Sequence, residues 1–82
     1  MTRLEDLRGI GRAAAGMLRE ADIATVEELR ELGAVEAYRR VRFVRPGVSL
    51  NLLHALHAGL DDRDWRALAV REKAALRRAL DG

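Results

Sequence analysis

The chain has 82 residues, about a third of them charged, with a net charge of +2, no cysteine and only three aromatic side chains. That length makes one domain, and the missing cysteine excludes disulfides, thiolate zinc sites and thiol chemistry. No apolar run approaches the roughly 18 residues that cross a bilayer, and "MTRLEDLRG" opens with an acidic pair instead of a signal peptide's apolar core, so a cytoplasmic protein is expected.

No segment alternates with period two over a useful length, so no strand is expected. Thr2 and Glu5 have the spacing of a capping box for a first short helix, Leu4 to Arg8, which stops at Gly9. The second helix, Arg12 to Ala21, sets Ala14, Met17, Leu18 and Ala21 on one apolar stripe. Asp22 ends it and Ile23 anchors the loop. Thr25 with Glu28 forms a second capping box, ahead of a third helix whose Val26, Leu29 and Leu32 point inward and whose stop is Gly33. The fourth helix, Val35 to Val44, buries Ala37, Val41 and Val44, and Pro46-Gly47 breaks it. Ser49 caps a fifth helix, Leu50 to Ala58, with Leu52, Leu53, Leu56 and Leu60 as core and Gly59 as its close. Asp62 caps a short turn carrying Trp65 and Leu68, and the last helix runs from Val70 to Leu80 with Leu76 and Leu80 inward. The expected fold is all-α: residues 1–82 form one compact bundle of five to six short helices.

The stretch "LRGIGRAAAGML" carries the first candidate site. Gly9 takes positive φ at little cost, so the chain can reverse in two or three residues. Ile10 faces inward and pins the turn. Gly11 leaves the first amides of the following helix open, and open amides at a positive dipole end attract anions. One reading is that Gly11, Arg12 and Ala13 meet a DNA phosphate; the other is that the glycines serve only the turn. The motif resembles a helix-hairpin-helix, so the N-terminal half is expected to be of that type, or like the related SAM fold. DNA-binding versions commonly carry Lys or Arg two residues after the second glycine, where this chain has Ala13. One such turn touches about two phosphates, which gives weak, salt-dependent binding. A second copy is suggested 38 residues on. "RPGVSLNLLHAL" places Gly47, Val48 and Ser49 where Gly9, Ile10 and Gly11 stand, with Leu52 and Leu56 parallel to Ala14 and Leu18.

"YRRVRFVR" gathers Arg39, Arg40, Arg42 and Arg45, with Arg39 and Arg42 on one helix face and Arg45 one turn on. This is either a phosphate ridge interleaved with Tyr38 and Phe43, or a solvated face diluted by Glu36. A net charge of +2 is far below that of a dedicated nucleic-acid binder. His54 and His57 stand three apart and could meet one ion, but no third ligand beyond Asp61 is near in sequence, so no metal is expected. Asp61, Asp62 and Asp64 lack EF-hand spacing and suit helix capping. No Ser–His–acid signature exists, so neither an enzyme nor a cofactor is expected.

"IATVEELRELGAVEAYRRV" and "RPGVSLNLLHAL", with "LRGIG" and "DW" as lesser markers, resemble the C-terminal domain of the TfoX/Sxy competence regulators over residues 4 to 76. The resemblance implies an all-helical domain. In longer members it follows an N-terminal α/β domain and takes part in regulating DNA-uptake genes alongside a cyclic-AMP-responsive activator. These 82 residues hold no such N-terminal domain and read as a stand-alone copy. The family's "GPKS" is "GRAA" here, and its "LLYALEGA" acquires His54 and His57. Two functions are expected of such a domain. The first is a non-enzymatic regulatory or accessory module touching DNA weakly, without sequence preference, through Gly9, Gly11, Arg12, Ala13, Arg39, Arg42 and Arg45. The second is a protein-interaction domain with no nucleic acid, whose partner is a transcription regulator or a separate TfoX N-terminal domain.

Overall fold

The apolar spacing folds into five α-helices in the computed structural model, which describes residues 1–82. They are α1 (Arg12–Glu20), α2 (Val26–Leu32), α3 (Ala34–Val44), α4 (Asn51–Leu60) and α5 (Val70–Asp81), with single 3₁₀ turns at Leu4–Asp6 and Trp65–Ala67. There is no sheet; Arg3 and Thr25 form one isolated antiparallel bridge. Helix α3 packs against each of the other four helices. Its inward face is Ala34, Ala37, Tyr38 and Val41, and the small residues let its neighbours approach. Leu4, Leu18, Ile23, Leu29, Leu53 and Leu56 from the other segments are fully buried, as is Val41 of α3. Each such side chain contributes about 1.5–3 kcal/mol by leaving water.

The helices start and stop for local reasons. Thr25 Oγ1 accepts from the Glu28 amide at 3.2 Å, as its spacing predicts, while the Glu28 carboxylate reaches one residue further back than in a standard box, to the Ala24 amide. Gly33, at φ +81° and ψ 162°, is the whole joint between α2 and α3, a conformation that favours glycine. Ser49 Oγ accepts from the Asn51 amide at 3.1 Å at the start of α4. The C-terminal carbonyls are covered by arginines from elsewhere in the chain. Arg39 donates to the carbonyls of Ala79 and Leu80 at the end of α5, and Arg30 to that of Leu60 at the end of α4. Arg8 donates to the Asp62 carbonyl in the turn after α4.

Four local expectations are corrected. Thr2 and Glu5 do not form a capping box. The Thr2 amide and hydroxyl donate to the Glu27 carboxylate at 2.9 and 2.7 Å, and Glu5 takes two bonds from the Arg19 guanidinium. A bidentate charge-assisted pair outweighs one bond to a backbone amide, so the first segment ends as a 3₁₀ turn. Val44 is 44% exposed, and Tyr38 takes the inward position instead, with its hydroxyl donating to the Val48 carbonyl. Gly59 lies inside α4 and does not close it. Asp64, not Asp62, caps the turn at Trp65, its carboxylate accepting from the Arg66 amide; Asp62 instead sits at φ +54° just after α4.

Candidate functional site

The Gly-Ile-Gly corner forms as its sequence predicts. Gly9 sits at φ +82°, Ile10 is buried, and the Ile10 amide donates to the Leu7 carbonyl. Gly11, at φ −89° and ψ −171°, is extended backbone that any residue adopts. Its lack of a side chain matters only because it leaves the start of α1 uncovered. The amides of Arg12, Ala13 and Ala14 have no acceptor within the protein, and no side chain caps them. Arg12 and Ala13 are exposed, and Arg12 makes no ion pair.

A groove of about 730 Å³ opens beside this corner. It is lined by Gly11, by Ala13, Ala14 and Met17 of α1, by the turn from Arg45 to Ser49, by Asn51, Leu52 and Ala55 of α4, and by Trp65. Gly47 of the second glycine turn and Gly11 of the first therefore line one cleft, while Gly9 and Ile10 do not. The two turns differ in detail. Ile10 is buried while Val48 is half-buried, and Gly47 does not adopt positive φ. Tyr38 holds the second turn through the Val48 carbonyl, and Arg45 ties it to the end of α1 by two bonds to Glu20, at 2.7 and 3.2 Å. That pair holds the Glu20 carboxyl below its usual range.

The arginines of α3 and Arg45 just beyond it are dispersed among internal partners. Arg39 caps α5 and lies 3.8 Å from Glu36, Arg40 pairs with Glu36 at 3.3 Å, and Arg45 pairs with Glu20. The Arg42 guanidinium lies over the Tyr38 ring, 5.9 Å from its centre. Of the candidate residues, Gly9, Gly11, Arg12 and Ala13 come together at the corner, Arg45 lines the groove, and Arg39 and Arg42 belong to neither. Sequence reasoning missed the groove floor. The available signal was Ala14 and Met17 on the edge of the α1 stripe, half-buried where Ala15 and Leu18 are fully buried.

The histidines of α4 lie apart in environment. His54 is buried with Nδ1 unpartnered, and burial, then the nearby charges of Lys73 and His57, lowers its pKa from the usual value. His57 Nε2 is 4.0 Å from the Glu72 carboxylate, which the Arg63 guanidinium holds at 2.7 Å. No three His, Asp or Glu side chains are arranged to hold a metal ion. No helix is long and apolar enough to cross a membrane.

Two crystal structures share this arrangement. One, of an uncharacterized Listeria monocytogenes protein in a triclinic form, is 28% identical with a TM-score of 0.87, covering 99% of this chain and 96% of that one. The other, a Listeria monocytogenes protein of unknown function in a tetragonal form, is also 28% identical with a TM-score of 0.87, covering 96% of each chain. Among curated proteins none matches. The family model described as the TfoX C-terminal domain matches residues 1–80, nearly the whole of this all-helical chain, and the chain belongs to the TfoX C-terminal domain family.

Proposed function

We propose that this domain is a non-enzymatic accessory module of competence-related regulation that works by holding another polypeptide in the groove between the starts of α1 and α4. The observation that carries this reading is the character of that groove: Ala14, Met17, Val48, Ala55 and Trp65 line it and are only half-buried, so they leave apolar surface in contact with water beside the corner. Apolar grooves of this kind accept one face of a partner's helix or an extended segment. The family supplies the regulatory context. A transcription regulator or a separate TfoX N-terminal domain is the kind of partner that context suggests.

A second reading, weak DNA contact, is favoured by one observation: exposed Arg12 stands unpaired beside the open amides of Arg12, Ala13 and Ala14. It draws little from Arg39 and Arg40 of α3 or from Arg45 just beyond it, which have carboxylate or carbonyl partners inside the protein. Backbone amide NMR with a short duplex at low salt separates the two. Docking predicts that residues 11 to 14 keep their positions. Salt-dependent shifts confined to those amides contradict it and support DNA contact.

A further inference from the structure

One buried titratable side chain lies outside the groove. His54 of α4 is only 8% exposed, and its Nδ1 has no hydrogen-bond partner. A proton added there makes a buried charge with no acceptor to hold it. The charges that reach the imidazole are positive, Lys73 from α5 and the protonated form of His57, and no carboxylate charge reaches it. The charged groups of the elements packed on α4 are engaged elsewhere or face water. On α5, Glu72 is held by Arg63, Asp81 pairs with Arg77, and Arg71 and Arg78 are exposed. On α3, Glu36 lies against Arg39 and Arg40, and Arg42 lies over the Tyr38 ring. Around the Trp65 turn, Asp61 pairs with Arg63 and Asp64 with Arg66.

Helix α5, which brings Lys73, packs on α3 and α4 and buries the smallest share of its residues among the five helices, Leu76 and Leu80 out of twelve. Elements with few buried apolar side chains open at the lowest free energy. The backbone that leads into α5 is extended at Leu68 and Ala69, which gives the helix a joint to turn on. We infer that His54 is a pH-sensitive latch: when its imidazole takes a proton, α5 swings off α4 at Leu68–Ala69 and lets the charge into water, while α1 to α4 stay packed. Lys73 can turn its amine outward without moving its helix. The imidazole reaches water at Nδ1 only when a neighbouring element moves, and α5 is the neighbour that carries like charge. Burial lowers the pKa of His54 in the closed form, and opening restores the ordinary value of 6.5. The opening constant of α5 therefore rises as pH falls, by at most about tenfold at about pH 5.5.

The test is amide hydrogen exchange of the full chain, followed by NMR at about pH 7.5 and about pH 5.5 and expressed as protection factors, so that the intrinsic pH dependence of exchange is divided out. The amides of α5 are expected to lose protection several-fold, up to about tenfold, while those of α1 and α3 keep theirs. His54→Leu is expected to abolish the loss. The ring-proton shifts of His54 give a second readout that needs no variant, and the loss in α5 should share their midpoint. An equal loss in every helix, a loss confined to the Trp65 turn, or no loss in α5 overturns the inference. So does a loss in α5 that survives His54→Leu or whose midpoint departs from that of the ring.

Discussion

A Cβ on Gly59 would lie 2.6 Å from the carbonyl oxygen of Arg8. Helix α4 therefore packs directly on the backbone that leads into the Gly9 corner, and Leu7 adds side-chain atoms at 3.2 and 3.3 Å. Neither backbone can swing aside. Gly59→Ala is expected to cost about 1–3 kcal/mol as overpacking. For a chain of this size that lowers the melting temperature by about 4–8 °C per kcal/mol. Gly16→Ala, inside α1 with nothing near its Cβ, is expected to raise stability by about 0.5–1 kcal/mol. Thermal unfolding followed by circular dichroism compares the two, and equal melting points for Gly59→Ala and wild type would contradict the contact.

The two glycines of the corner should respond differently. Gly9 is at φ +82°, so Gly9→Ala is expected to cost about 1–3 kcal/mol although no atom blocks its Cβ. Gly11 is extended and also has open space, so Gly11→Ala should change stability by less than about 0.5 kcal/mol. Chemical denaturation of both variants checks this. Equal losses would mean that the corner has another shape.

Stability should fall with acid in two windows. Glu5, Glu27 and Glu72 are held down to about 2 by bonds from Arg19, Thr2 and Arg63 respectively. As pH falls below the ordinary value of 4.5, the unfolded chain takes protons at these positions before the folded one does. Their contribution is complete above that value and is lost progressively toward pH 2. His54, lowered by burial, acts in the upper window: below 6.5 the unfolded chain binds its proton first, so stability declines from there downward. Glu27→Gln should shrink the lower window and His54→Leu should flatten the upper one. Melting temperatures measured across both windows test each substitution, and an unchanged profile for either contradicts its assignment.

Arg39 should act on α5, 40 residues away in the chain. Its guanidinium bonds the carbonyls of Ala79 and Leu80 at 2.8 and 3.0 Å, closing the end of that helix. Arg39→Ala is expected to cost about 1 kcal/mol and to speed amide hydrogen exchange in the last turn of α5. Arg42→Ala removes only a contact with the Tyr38 ring and should cost about 0.5 kcal/mol. Exchange rates in α5 that ignore Arg39→Ala would show that this cap does not hold in solution.

The parts of the fold legible in the sequence are those set by neighbouring residues. Gly9, Thr25, Gly33 and Pro46 each act within a few positions, and the helix order and most boundaries follow from them. What stayed hidden depends on distant partners. Thr2 prefers Glu27 over Glu5 because the N-terminal segment lies against the start of α2, where the Val26 amide bonds the Thr2 carbonyl. Arg39 resembles a solvent-facing ridge residue until α5 arrives beside it. Gly59 looks like a helix stop because the residues that crowd it, Leu7 and Arg8, stand near the other end of the chain. The corner of the candidate site was readable from Gly9 to Ala13, but the groove was not. Its walls come from α1, the turn before α4, α4 itself and Trp65, and no local pattern announces that these meet.

The most direct measurement of the docking account places the photocross-linker p-benzoylphenylalanine at Asn51, on the groove wall, in the protein's native host. The account predicts protein adducts that disappear when Ala14→Trp fills the groove and persist with Arg42→Gln on α3. Adducts to DNA, or protein adducts indifferent to Ala14→Trp, would contradict it.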